Sequence, residues 1–195
     1  KSLQSLLDRE NVTPDQKTNL WMTLIRLQLL RQDGAPEQRL ANARQTLQSA
    51  KEELEQQAAD WAVAELMIAQ SDSNEKLQQT AAKIESKLDS FSRDDRVKVL
   101  ESLASAFARL ENLEKQQQIF RKLTELRPNH LNYHLRMANY ALQENEEKAF
   151  QTSLAQIRRI EGPNGPNGNV TEASRLISRL AGIGLAEGET LSQET

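Results

Sequence analysis

The chain has no cysteine, so no disulfide frame, thiolate metal site or cysteine nucleophile can be built from it. Glycine and proline are sparse, 7 and 5 in 195 residues, and aromatic residues make up 4%. Strand-forming side chains are scarce, which argues against a β architecture. No sign of charge dominates: the net charge is −3 and the pI lies near 5.6. Nucleic-acid affinity rests on clustered Lys and Arg neutralising phosphates, so no nucleic-acid partner is expected. No apolar run approaches the roughly 20 residues that a membrane span needs, and no basic-then-apolar leader opens the chain. No membrane partner is expected within this stretch. The compartment stays open, with a soluble, cytoplasmic setting favoured.

What the chain does contain is Leu, Ala, Gln, Glu and Arg, which are good helix formers. Thr13-Pro14-Asp15-Gln16 carries a capping hydroxyl, proline at the first helical position and Gln three residues on, and predicts a helix from Pro14 to about Gln32. Asp33-Gly34-Ala35-Pro36 stops it, with Gly34 able to turn left-handed. A second helix follows from 36 to between 56 and 60, with the stripe Leu40, Ala43, Leu47, Ala50 and Leu54. The segment Trp61 to Ala69 is apolar nearly all round and reads as buried on more than one side. Ser73 and Ser92 cap further helices, 74 to about 91 and 93 to about 110. Three more are predicted at about 113–127, 130–143 and 146–161. The Gly-, Pro- and Asn-rich stretch 162–169 reads as a loop, followed by a helix over 170–181 and a flexible tail to 195. Leu3, Leu6 and Leu7 are spaced as the end of an earlier helix, so residues 1–12 read as closing a preceding unit, and the chain as a piece of a longer array.

A fixed period distinguishes a helical solenoid from a bundle. Leu100, Leu103, Ala104 and Phe107, then Gln116, Phe120 and Pro128, follow the spacing W-x2-L-G-x2-Y, A-x3-F and P, with Gln116 the one sharp departure. Positions equivalent to Leu100 are Trp21, Trp61, His134 and Ala173, at intervals of 40, 39, 34 and 39 residues. His134, Met137, Ala138 and Ala141 repeat the first-helix pattern, as do Ala173, Leu176, Ile177 and Leu180. At Trp61, Ala64, Glu65 and Ile68 a charge falls in the small-residue slot, and the pattern there can be read as slipped by a residue. The chain thus resembles the tetratricopeptide-repeat family, strongly over 97–130 and loosely elsewhere. That resemblance implies an all-α, right-handed α-solenoid of stacked antiparallel helix pairs, with four pairs over 13–161 and the first helix of another repeat in 170–195. It also implies a curved stack whose first helices line a concave face.

The side chains opposite the core stripes are then the candidate partner-binding groove: Met22, Arg26 and Leu30 from the first pair, Lys98, Glu101, Ser105 and Arg109 from the third, and Asn132, Leu135, Asn139 and Gln143 from the fourth. Family members that clamp the C-terminal carboxylates of chaperones use Lys and Asn where this chain has Glu101 and Ser105, so no such clamp is expected. His130 and His134 are four apart, as metal-binding histidines are, but no third ligand completes a set and no metal is expected. Trp21 and Trp61 read as core, and Glu52-Glu53 and Glu146-Glu147 as solvated charge. The triplets Asn11-Val12-Thr13 and Asn169-Val170-Thr171 match the glycosylation acceptor pattern, but capping by Thr13 and Asn169 explains them. No catalytic constellation and no cofactor motif is found.

The expectation is a non-enzymatic interaction module, a scaffold segment of a larger protein that binds a peptide or protein on its concave face. The alternatives are a structural spacer or self-association arm, recommended by the long Gln- and Glu-rich second helix, and, more distantly, a non-catalytic part of an enzyme.

Overall fold

A computed structural model describes residues 12–31, 33–55 and 57–191, with side chains described up to 178. Among the described residues every regular element is helical, and no helix is long and apolar enough to cross a membrane. In order they are α1 (Pro14–Leu30), α2 (Pro36–Glu53), α3 (Ala58–Gln70), α4 (Asn74–Glu85), a 3-10 turn (Leu88–Ser90), α5 (Arg93–Arg109), α6 (Leu113–Leu126), α7 (Leu131–Gln143), α8 (Glu147–Glu161) and α9 (Pro166–Leu191). The helix expected over residues 1–9 lies outside the described residues.

Local signals set most boundaries. The Thr13 hydroxyl accepts the Gln16 N–H at 3.3 Å while the Gln16 amide oxygen accepts the Thr13 N–H at 2.9 Å, a closed capping box. Ser73 and Ser92 accept the N–H groups of Lys76 and Asp95 in the same way. Gly34 adopts φ +92°, which a side chain would strain. Two differences stand out. The helix expected to reach Phe91 ends at Glu85, where the Ser86 hydroxyl donates back to the Lys83 carbonyl and a 3-10 turn takes over. And α9 begins at Pro166, inside the stretch read as a loop.

The cause of that early start lies on the preceding helix. Gly162, at φ +92°, ends α8 with its N–H on the Arg158 carbonyl at 2.8 Å. Pro166 fits the first helical turn because its missing N–H costs nothing there. The Glu161 carboxylate then accepts the Asn167 side-chain amide and the Gly168 N–H, the latter at 3.3 Å, placing negative charge at the positive end of the helix dipole. Asn169 is therefore a first-turn residue rather than a cap, its N–H donating to the Gly165 carbonyl at 3.2 Å.

The chain divides into two compact units, Lys1–Ile119 and Phe120–Thr195. In the first, α3 is central and packs on α1, α2, α4 and α5, which is why it is apolar on most sides: Trp61, Ala62, Ala64, Leu66, Ile68 and Ala69 are all buried. One core cluster joins Trp21, Met22 and Ile25 of α1 to Ala43, Leu47 and Ala50 of α2 and Trp61, Ala64 and Ile68 of α3. Each large apolar side chain so buried contributes about 1.5–3 kcal/mol. Both indole N–H groups are satisfied: Trp21 donates to Glu53 Oε2 at 3.1 Å and Trp61 to the Leu54 carbonyl at 2.9 Å. Glu53, which also pairs with Lys17, thus locks α2 to α1 instead of standing as solvated charge.

In α5, Val97, Leu100, Leu103, Ala104 and Phe107 are buried. Ala104 lets α6 come close enough for the Gln116 side-chain amide to donate to the Ala104 carbonyl at 3.3 Å, so the departure at Gln116 serves a side-chain-to-backbone hydrogen bond between the two helices. Trp61 and Ile68 are buried in α3. Glu65, which the sequence pattern sets in a small-residue slot, is bridged by Lys51 of α2 on Oε1 and by Lys83 of α4 on Oε2 at 3.3 Å. Burial raises the Glu65 pKa, but the hydrogen bond and charge of Lys51 and those of Lys83 outweigh it and hold the carboxyl below the usual range.

In the second unit α7, α8 and α9 pack on one another, around Ala138, Ala141, Phe150, Leu154 and Ile157. Phe120 meets Tyr133 edge-on, centroids 6.1 Å apart, and Tyr140 at 5.9 Å. His134 is buried as expected and its Nε2 donates to the Pro128 carbonyl at 2.8 Å. Arg175 of α9 lies over the Phe150 ring at 5.7 Å and pairs with Glu147 at 3.1 Å, while Glu172 pairs with Arg158. Glu147 too is therefore structural. Ala173, Leu176 and Ile177 are exposed, unlike their counterparts in α5.

Two outcomes are expected. Ala104→Leu forces extra volume between α5 and α6 and lowers stability in urea by about 1–3 kcal/mol, whereas Ala108→Leu, on the exposed side of α5, changes it by less than about 0.5 kcal/mol. Because folding favours ionised Glu65, its contribution is full above the ordinary glutamate value of 4.5 and is lost as pH falls below it. A Glu65→Gln variant is expected to lose that part of the acid dependence, measured as unfolding free energy across pH 3 to 7.

Candidate functional site

The eleven groove residues expected from sequence fall in different settings. Met22 is only 8% exposed and belongs to the core of the first unit. The buried arc of α1 is wider than its Trp21–Ile25 stripe suggests, and Met22 offers no surface. Arg26 and Leu30 are exposed, Leu30 at 75%, beside Leu27 at 47%.

On α5, Lys98, Glu101, Ser105 and Arg109 recur at helical spacing and all are exposed. Two of them reach α3: Lys98 lies 3.6 Å from Asp60, and also 3.5 Å from Asp95, while the Gln70 amide donates weakly to Ser105 Oγ at 3.5 Å. Since α3 also packs on α1, the three helices form a layer within the first unit, and its outer side is polar with an apolar margin at Leu27 and Leu30. In the second unit Asn132, Asn139 and Gln143 are exposed on α7, but Leu135 is half-buried against the Ala138–Phe150 cluster.

A different feature of the first unit escaped the sequence reading. The helices α2 and α4 each pack on α3 rather than on each other, and the space between them is a groove. Toward its Phe91 end it opens into a cleft of about 440 Å³ floored by Trp61, Ala62 and Ile84, with Lys51, Lys83 and Lys87 on its walls. On the other side of Glu65, which lines both, it continues as a second cleft of about 400 Å³, bounded also by Arg44, Leu47, Ile68, Asp72 and Lys76. The Lys51–Glu65–Lys83 bridge divides the two. Arg44 pairs with Asp72 at the far end, whereas Lys87 makes no ion pair among the described residues. The charge of Glu65 in a small-residue slot was the one signal in the sequence that pointed here.

The histidines do not converge. The His130 ring stacks on Tyr133, centroids 3.9 Å apart, and His134 Nε2 is engaged by the Pro128 carbonyl. Among the described residues no group of three or more His, Asp or Glu is placed to hold a metal ion.

Comparison with family profiles, with curated proteins and with solved structures finds no match.

Proposed function

We propose that the chain is a non-enzymatic protein-interaction module, built from tetratricopeptide-like helix pairs stacked as a right-handed solenoid, that binds a peptide or protein. The observation that carries this reading is the layer of α1, α3 and α5, whose outer side sets Arg26, Lys98, Glu101, Ser105 and Arg109 on a rigid helical scaffold. Recognition by side chains fixed on packed helices loses little entropy on binding. The recurrence of one turn supports the repeat. Glu111 and Asn145, 34 positions apart, both adopt positive φ. In each turn the next N–H closes on a carbonyl five residues back, Asn112 on Phe107 at 2.9 Å and Glu146 on Ala141 at 2.8 Å.

The second reading, a spacer or self-association arm, keeps one specific observation. Val170, Leu176 and Ile177 of α9 are 65%, 50% and 66% exposed, and Leu27 and Leu30 of α1 are exposed as well. Apolar side chains clustered on one helix mark a surface suited to stacking.

The test is affinity capture from an extract of the source cell, with Arg109→Glu and the double variant Lys98→Glu/Arg109→Glu beside the parent chain, their folding checked by circular dichroism. Arg109 makes no ion pair among the described residues, so its variant isolates surface recognition. One protein retained by the parent and depleted at least about fivefold by the variants is expected, the size that one or two interfacial charges command. Identical capture by all three chains, or capture of more of this same chain only, would count against the layer as the binding face.

A further inference from the structure

The groove between α2 and α4 is cationic in a chain whose net charge is −3. In its larger cleft Lys51, Lys83 and Lys87 face Glu55 and Glu65, and in the smaller one Arg44 and Lys76 face Asp72 and the same Glu65. Over the whole groove five basic side chains meet three acidic ones, and the excess lies in the larger cleft. Its distribution matters more than its sum. Glu65 is held between two ammonium groups and Asp72 by Arg44, so two of the three acids are already engaged, while Lys87 stands exposed at the mouth with no ion pair among the described residues. Beneath it lie the Trp61, Ala62 and Ile84 side chains, whose low polarity strengthens any charge pairing at the rim. A cleft of about 440 Å³ is in the range that encloses small ligands or a large anchoring side chain.

We propose that this groove, on the opposite layer of the first unit from the α5 face, is a docking site for an acidic amphipathic segment of a partner protein. The segment places one large apolar side chain on the Trp61–Ile84 floor and its Asp or Glu residues against Lys51, Lys83 and Lys87. The two helices α2 and α4 form the walls, an arrangement that suits a helix laid in a groove. The proposal rests on the reading of the chain as an interaction module, but not on the α5 face being the surface used.

The experiment selects a phage-displayed library of random peptides on the intact chain, then measures the enriched peptides by fluorescence anisotropy. Enriched sequences are expected to carry Leu, Phe or Trp flanked by Asp or Glu. Lys87→Glu is expected to weaken their binding about fivefold, the effect of reversing one rim charge. Ala58→Trp, at an exposed position lining the cleft, is expected to block it, and Lys98→Glu/Arg109→Glu to leave it unchanged. Enriched peptides that are basic or show no charge bias, or that bind both groove variants as well as the parent, overturn the proposal. So does a library that yields nothing. So does a chain that dimerises in the ultracentrifuge through the groove, losing the dimer on Lys87→Glu, because the occupant is then a second copy. The capture experiment stands apart from these results: a partner lost on altering the α5 face, with no peptide in the groove, removes this proposal and leaves the interaction module intact.

Discussion

The Lys51–Glu65–Lys83 bridge is the contact on which the first unit turns. A carboxylate on the central helix α3 accepts one ammonium group from α2 and another from α4, and those two helices pack on α3 without packing on each other. At Ala104 of α5 the neighbouring helix approaches until a side-chain amide touches the backbone. At Glu65 of α3 the neighbours reach in through lysine side chains, and a groove stays open beside the bridge. A partly buried pair of this kind adds little net stability, because desolvation offsets most of the attraction. Its consequence is geometric: it specifies a spacing.

Around that bridge the rest follows from ordinary packing. Two tryptophans fill the core of the first unit while their N–H groups are taken up by α2 and by the link that follows it, at Glu53 and Leu54. In the second unit an aromatic group formed by Phe120, Tyr133 and Tyr140 and an arginine over Phe150 do the equivalent work. The polar outer side of the α1–α3–α5 layer and the cationic groove between α2 and α4 are two distinct surfaces of the first unit, and each offers its own chemistry.

Much of this was legible in the sequence, wherever the signal was local. Caps at Thr13, Ser73 and Ser92, the left-handed Gly34, the burial of Trp21 and Trp61 and the apolar stripes of α2 and α5 all rest on residues within a turn or two of one another. What failed depended on distant partners. Pro166 starts a helix because Glu161 caps it from the preceding one. Glu53 and Glu147 are structural because Trp21 and Arg175 find them. Met22 is core because α1 buries a wider arc than its strongest apolar residues mark. The groove is invisible to periodicity for the same reason: a charge in a small-residue slot reads as an irregularity until the helices facing it are known.

The most direct test of the account is the spacing of α2 and α4 in solution. The chain has no cysteine, so spin labels can be placed through Gln48→Cys and Gln79→Cys, both exposed positions on those helices, and their separation read by double electron–electron resonance. If the Glu65 bridge sets the groove, Glu65→Ala turns a narrow distance distribution into a broad and shifted one while the helix content is kept. A distribution that stays narrow and unmoved would show that packing on α3 alone fixes the two helices, and that the bridge does not determine the groove.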